Sequence, residues 1–323
     1  MPRAIRIHET GGPEVLKWEE VAVGDPGPGE AKVRQDAAGL NFIDVYHRSG
    51  LYPQPLPFTP GVEGAGVVEA VGEGVTSLEP GDRVAYAGPV GGYAEERLIA
   101  ADRLVKLPDS ISSEQAAAAM LQGMTAHMLL RKVHLVKPGE TILVHAAAGG
   151  VGLILCQWAK SLGATVIGTV GSDEKAGLAR AHGCDHPIVY TRTDFVAEVE
   201  RITGGAKLPV VYDSVGRDTF LPSLDCLAPR GLMVSFGNAS GPVEPISPLL
   251  LSQKGSLFLT RPTLFTYIAR REELEAAAAE LFEVIANDTV RIEVQQRYAL
   301  SDAARAHRDL EARKTTGSTV LTT

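Results

Sequence analysis

The sequence predicts a mixed α/β chain in which a doubly wound parallel sheet is joined to a second, mostly β domain. Three observations carry this. The run Thr141-Ile-Leu-Val-His-Ala146, the small residues Ala147-Ala148-Gly149-Gly150-Val151-Gly152 and the segment Leu153 to Leu162 read as a buried strand, a tight turn and a helix. From Thr141 onward, strand-like and helix-like segments alternate, which is the sequence form of a parallel sheet covered by helices. Residues 1 to about 122 are instead rich in short alternating segments and turn residues, as in Ala65-Gly-Val-Val-Glu-Ala-Val71, and predict a barrel-like β domain. A length of 323 residues is enough for two domains, each burying its own core.

Taken in order, Met1-Pro-Arg-Ala-Ile-Arg-Ile-His8 reads as a first strand, because charges interrupt its apolar run and set it apart from a signal peptide. Tyr52 to Pro60 carries four prolines and predicts a stiff loop between core strands, in preference to a proline-recognition ligand. Beyond the Thr141 strand and its helix, the pattern predicts a strand over Thr165 to Val170, a helix over Asp173 to His182 and a strand over Pro187 to Tyr190. It continues with a strand over Pro209 to Asp213, a helix over Thr219 to Leu227, a strand over Leu232 to Phe236 and the segment Leu257 to Thr260. A helix over Glu272 to Ala286, two short strands and a last helix over Asp302 to Arg313 most simply return to the first domain. The expected division is 1–122 with 263–323, and 123–262 between them.

Apolar content of 45% and charged content of 22% are ordinary for a soluble globular protein. A formal net charge of -8 argues against a nucleic-acid-binding surface as the main business of the chain. The longest apolar stretch, Ile142 to Trp158, contains His145 and the small turn residues, which excludes a bilayer span, and the chain reads as cytoplasmic. Three cysteines at wide spacing, Cys156, Cys184 and Cys226, form no zinc or disulfide framework and read as reduced structural thiols. The eight histidines are scattered, and His145 at a strand end reads as a structural imidazole.

The turn at Ala147 to Gly152 carries chemistry. Small residues let a backbone approach the pyrophosphate of a dinucleotide, and the first N–H groups and positive end of the following helix face the anion. Gly149, Gly150 and Val151 are therefore expected to hold a nicotinamide cofactor. The next strand ends Ile167-Gly-Thr-Val-Gly-Ser-Asp-Glu-Lys175, with Gly171 or Ser172 where an acid would bind a free ribose hydroxyl. Ser172 as a hydrogen-bond donor and Lys175 as a charge suit a 2′-phosphate and hence NADP, whereas a shift of two residues would bring in Asp173 and favour NAD.

Motifs along the whole chain resemble the zeta-crystallin-type quinone oxidoreductases of the zinc-free medium-chain dehydrogenases and reductases. They are Gly39-Leu-Asn-Phe-Ile-Asp44 with Arg48-Ser-Gly-Leu-Tyr52, Pro60-Gly-Val-Glu-Gly-Ala-Gly-Val-Val68, Gly81-Asp-Arg-Val84 and His145-Ala-Ala-Ala-Gly-Gly-Val-Gly152. Val211-Tyr-Asp-Ser-Val-Gly216, Ser235-Phe-Gly-Asn238 and Arg313-Lys-Thr-Thr-Gly-Ser318 complete the set. The resemblance implies a split, GroES-like catalytic domain around a central Rossmann domain, NADPH as cofactor, quinones as substrates and a homodimer joined through the edge strands of the nucleotide domains. It places Asn41, Phe42, Asp44, Tyr46 and Tyr52 near the nicotinamide and substrate, with Thr125 at the domain junction. Ser172, Lys175, Tyr190 and Arg313 would meet the adenosine phosphate. Val215, the segment Phe236, Gly237 and Asn238, and the segment Phe258, Leu259 and Thr260 would line the nicotinamide ribose.

The chain departs from the related alcohol dehydrogenases at zinc. Their P-G-H-E motif reads here Pro60-Gly-Val-Glu63, Asn41 stands where a catalytic cysteine is expected, and the four-cysteine lobe is missing. Without those ligands there is no Lewis acid to polarise an alcohol or carbonyl, so no metal is expected. Reduction must then rest on placing an electron-poor acceptor against the cofactor, which suits a quinone, with Asn41, Tyr46 and Tyr52 as candidate donors. Two alternatives stand beside this: an NADPH-dependent enone or enal reductase, and a non-catalytic crystallin-like or RNA-binding protein.

Overall fold

The computed structural model describes residues 1–323 and divides them into two units. One comprises Met1–Met124, Ile268–Ala286 and Ile292–Thr323, and the other Thr125–Tyr267 with Asn287–Arg291. The units meet at Met124/Thr125 and at Tyr267/Ile268, with Asn287–Arg291 as one further piece of the second. Asn287–Arg291 is drawn to the second unit by Gln157, whose Nε2 donates to Arg291 O (3.2 Å) and whose Oε1 accepts from Arg291 N (2.9 Å).

In the first unit a seven-stranded sheet runs in the order Val294–Ala299, Ser318–Thr322, Glu30–Gly39, Glu63–Val71, Arg83–Ala87, Val105–Lys106, with Glu96–Ala100 also paired to Glu30–Gly39. All pairings except Val294–Ala299 with Ser318–Thr322 are antiparallel. Alternation drives it: Ala31 and Val33 point inward with Val68, Val84, Tyr86, Ile99 and Leu104, while Lys32 and Arg34 face outward to Glu69, Glu96 and Asp36. The expected first strand is Arg3–Arg6, paired antiparallel with Lys17–Glu20. The proline-rich segment is coil, joined to the first strand region where Phe58 bridges Ile7.

In the second unit six parallel strands lie in the order His186–Val189, Thr165–Val170, Thr141–Val144, Leu208–Asp213, Leu227–Ser235, Phe258–Thr260. Ile142, Leu143 and Val144 are buried on both faces, as a covered parallel sheet requires, each contributing roughly 1.5–3 kcal/mol by burial. The helix Phe195–Thr203 falls where the strand–helix pattern of the sequence predicts no element, although Asp194 caps it through Val196 N (2.9 Å) and Gly204 ends it in the left-handed region. The strand expected over Leu232 to Phe236 starts earlier, at Leu227, because Pro229 to Gly231 continue it through a bulge. Cys156, Cys184 and Cys226 are buried thiols without disulfides, and no helix is long and apolar enough to cross a membrane.

Candidate active site

In the second unit the chain order reverses between Thr141–Val144 and Leu208–Asp213, and ligands of such sheets bind outside the carboxyl ends of the strands at that point. Most of the expected cofactor residues fall there. Ala146 takes the left-handed conformation (φ 54) and Gly149 caps the helix Gly150–Ser161 without any side-chain hydrogen bond. A Cβ at Gly152 would lie 2.3 Å from Ala146 O, so only glycine lets the helix start this close to the turn. This is the cradle that a pyrophosphate needs, and it fits the dinucleotide that the resemblance implies. Gly171 and Ser172 follow the strand Thr165–Val170, and Ser172 Oγ caps the next helix by accepting from Lys175 N (3.2 Å). The Tyr190 hydroxyl packs against Gly171, where a Cβ would come within 3.3 Å of it. Val215 N donates to Asp213 Oδ1 (2.7 Å), and Gly237 is pressed on Ser214, 2.4 Å from a Cβ there to Ser214 O, which fixes the Phe236 to Asn238 turn.

Phe258 and Leu259 do not sit with this group. They belong to the edge strand, are 61% and 39% exposed, and line an open groove with Lys207, Pro229, Arg230 and Leu232, from the amino-terminal halves of the neighbouring strands. Thr260, paired with Val234, lines the same groove nearer the carboxyl end. His145 is the structural imidazole expected: its ring nitrogens pair with Thr169 Oγ1 and Ser223 Oγ, both at 2.8 Å, and burial lowers its pKa.

In the first unit Asn41 caps the helix Phe42–Ser49, which ends at Gly50 in the left-handed region. Its backbone N–H donates to Asp44 Oδ2 (2.9 Å), its Nδ2 donates to Glu63 Oε2 (2.7 Å) and its Oδ1 accepts from Gln122 Nε2 (3.1 Å). Ser318 Oγ in turn donates to Gln122 Oε1 (2.8 Å). Asn41 is thus held from three sides, with one Nδ2–H left over. Tyr46 is buried, Tyr52 half-buried; their rings meet edge to face at 5.1 Å, and Tyr52 N donates to Tyr46 O (3.0 Å). Phe42 packs against Tyr46 with ring centroids 6.3 Å apart. Thr125, in the helix Met120–Met128, opens the second unit, and Arg313, with a left-handed φ of 58, belongs to the first.

Asp44 departs from the expected cofactor role. Its carboxyl is fully buried, and its Oδ2 accepts from Asn41 N and from Tyr93 Oη (2.8 Å), so it supports the turn that presents Asn41. Behind it runs a chain the sequence did not disclose. Arg48 Nη1 meets His307 Nδ1 (3.1 Å), and a guanidinium only donates, so Nδ1 accepts and the proton of the neutral ring sits on Nε2. Nε2 faces Tyr93 Oη (3.3 Å), which leaves the Tyr93 hydroxyl to donate to Asp44. Arg48 also makes a bidentate pair with Glu311 (2.8 Å each). Burial lowers His307 to about 3, with Arg48 adding to the effect, and lowers His47 to about 4. Burial likewise pushes Asp44 up to about 7 and Glu63 up to about 8, against their hydrogen bonds.

The donor set around Asn41 does not fit a zinc ion. Val62 offers no ligand atom, and both Glu63 oxygens are engaged, Oε2 by Asn41 and Oε1 by Leu121 N (2.7 Å).

A six-stranded doubly wound unit whose sequence interrupts that of a mostly β unit, with a small-residue turn at its switch point, defines a medium-chain dehydrogenase or reductase. A family model described as zinc-binding dehydrogenase matches residues 150–283, and one described as alcohol dehydrogenase GroES-like domain matches residues 27–109. A quinone oxidoreductase of Pseudomonas aeruginosa is 58% identical over 323 residues, 99% of each chain, and a 2-haloacrylate reductase of a Burkholderia species is 47% identical over 99% of each. The crystal structure of Escherichia coli quinone oxidoreductase complexed with NADPH superposes with a TM-score of 0.98 at 53% identity, covering 99% of this chain and 100% of that one. The chain belongs to the quinone oxidoreductase family of the zinc-free medium-chain dehydrogenases and reductases.

Proposed function

We propose that this protein is an NADPH-dependent quinone reductase that works without a metal. The observation that carries the reading is the replacement of a metal-ligating pair by a hydrogen-bonded amide: Asn41, fixed by Glu63, Asp44 and Gln122, beside Tyr46 and Tyr52. When bound, NADPH supplies the hydride, or electrons one at a time. Gly149, Gly150 and Val151 hold its pyrophosphate by backbone N–H groups and the helix dipole, while Ser172, Lys175 and Tyr190 take its adenosine phosphate. Val215, Phe236, Gly237, Asn238 and Thr260 support the nicotinamide end.

Charge that develops on a quinone oxygen spreads over the ring and needs hydrogen bonds more than a Lewis acid. The remaining Asn41 Nδ2–H and the hydroxyls of Tyr46 and Tyr52 supply them, and solvent completes protonation of the hydroquinone. The resemblance to a 2-haloacrylate reductase favours a second reading, reduction of a conjugated double bond by the same residues. NADPH oxidation measured against benzoquinones, naphthoquinones and enals under one set of conditions tests both. Quinones turned over fastest support the first reading, enals alone support the second, and no turnover with any acceptor refutes both.

We infer a homodimer joined through Phe258–Thr260, whose outer side has no neighbouring strand and whose Phe258 and Leu259, with Leu249, are exposed apolar groups. The cytoplasm is the proposed compartment, on the strength of three buried, reduced thiols.

A further inference from the structure

Asp173 is the acid whose position in the sequence argues for an unphosphorylated ribose. The structure sets it against Arg192: Nη1 donates to Asp173 Oδ2 at 2.5 Å and Nη2 donates to Oδ1, a bidentate pair. The pair spans the carboxyl ends of two neighbouring parallel strands, Thr165–Val170 and His186–Val189, in which Val170 is paired with Val189. The two ends are tied further by Tyr190 N donating to Val170 O (3.1 Å) and Thr191 Oγ1 donating to Gly171 O (3.3 Å), beside the Tyr190 hydroxyl on Gly171. Arg192 therefore stands over the same strand end as Ser172 and Lys175. Of its five N–H groups two serve Asp173, and the others remain for a ligand.

We propose that Arg192 is a specificity-determining residue for the phosphorylated cofactor, neutralising Asp173 and keeping its other N–H groups for the 2′-phosphate. The proposal rests on the NADPH reading above. Without the guanidinium, the Asp173 carboxylate would repel a phosphate dianion and would accept hydrogen bonds from the two hydroxyls of an unphosphorylated ribose. Lys175 brings a point charge to this strand end, whereas Arg192 brings a planar fork that can serve a carboxylate and a phosphate together. The sequence leaves the choice between NADP and NAD open because Asp173 is visible there and its partner, 19 residues on, is not.

The test is calorimetric titration of NADPH and NADH into the parent protein, Arg192→Ala, Asp173→Asn and the double variant. Arg192→Ala is expected to weaken NADPH by about tenfold while changing NADH by less than about twofold, a difference of tenfold corresponding to about 1.4 kcal/mol. Asp173→Asn added to Arg192→Ala is expected to recover part of the NADPH loss, because the exposed acid is gone. Equal losses for the two cofactors in Arg192→Ala, or no recovery in the double variant, overturn the proposal. A parent that binds both cofactors equally overturns the NADPH reading itself. A parent preference for NADPH that is unchanged in Arg192→Ala overturns only the role of Arg192. Both side chains are exposed and pair only at the surface, so an unchanged melting temperature is expected to accompany these shifts.

Discussion

Glu63→Gln gives the sharpest physical test of the first unit, because Glu63 is a fully buried acid whose folded pKa is near 8 against a usual 4.5. Between those values the folded protein keeps the proton and the unfolded chain has lost it. Stability from this group is therefore fully present below about pH 4.5 and declines as pH rises through about 8. Asp44, raised from 3.8 to about 7, acts in the same direction. His47 and His307, lowered from 6.5 to about 4 and about 3, act oppositely, adding stability as pH climbs through 6.5. Between about pH 6.5 and about pH 7.5 each still adds roughly 0.3 kcal/mol, less than either carboxyl loses. From about pH 6.5 to about pH 7.5, Glu63 should cost on the order of 1 kcal/mol and Asp44 somewhat less. Glu63→Gln should remove more than half of that decline.

The substitution has its own constant penalty. One Glu63 oxygen accepts from Asn41 Nδ2 and the other from Leu121 N, so an amide NH2 meets a donor on one side and costs about 1–3 kcal/mol. That penalty does not depend on pH, so the slope and not the absolute stability is the readout. Denaturant unfolding across this range, with Trp18 reporting on the first unit in a Trp158→Phe background, measures it. A parent whose stability stays flat or rises from about pH 6.5 to about pH 7.5, or a Glu63→Gln variant that keeps the parent slope, would refute the assignment of a buried, protonated Glu63.

Gly152→Ala should weaken NADPH by about tenfold or more in calorimetry, since its Cβ would stand 2.3 Å from Ala146 O and push the helix off the turn. Tyr52→Phe should lower kcat by about tenfold with little change in the Kd for NADPH, because it deletes only a hydroxyl that acts as charge builds on the acceptor. Phe258→Lys with Leu259→Lys should yield a monomer mass in light scattering where the parent gives a dimer; equal masses would remove the edge strand from the interface. Prolonged treatment with a strong zinc chelator should leave turnover unchanged, and loss of activity restored by added zinc would contradict the donor set at Asn41, Val62 and Glu63.

What the sequence discloses and what it hides divide along one physical line. The strand Thr141–Val144, the glycine turn and the helix after it are legible because periodicity, small residues and capping act within a few positions of one another. The helix Phe195–Thr203 carries equally local signals in Asp194 and Gly204 and in its apolar stripe, Phe195, Val196, Val199 and Ile202; the strand–helix rhythm alone does not mark it. The surroundings of Asn41 have no such signature. Glu63, Gln122 and Ser318 reach it or its partners from 22, 81 and 196 residues away, and Arg48 meets Glu311 across 263. A side chain's chemistry is set by the groups it meets, so residue type alone could place Asp44 near a cofactor and could not turn it inward.

The same limit explains the groove at Phe258. An edge strand is visible in sequence only as a short apolar run, and Leu257 to Thr260 reads equally well as a cofactor wall or as an interface. Its exposure favours the proposed interface. Phe258 is 61% exposed at the outer end of a six-stranded sheet, with Arg230 and Lys207 in left-handed conformations on the groove beside it. An apolar residue held that far into solvent on an unpaired edge gains little unless a second surface covers it, and a symmetry-related edge offers both the missing backbone partners and the matching ring.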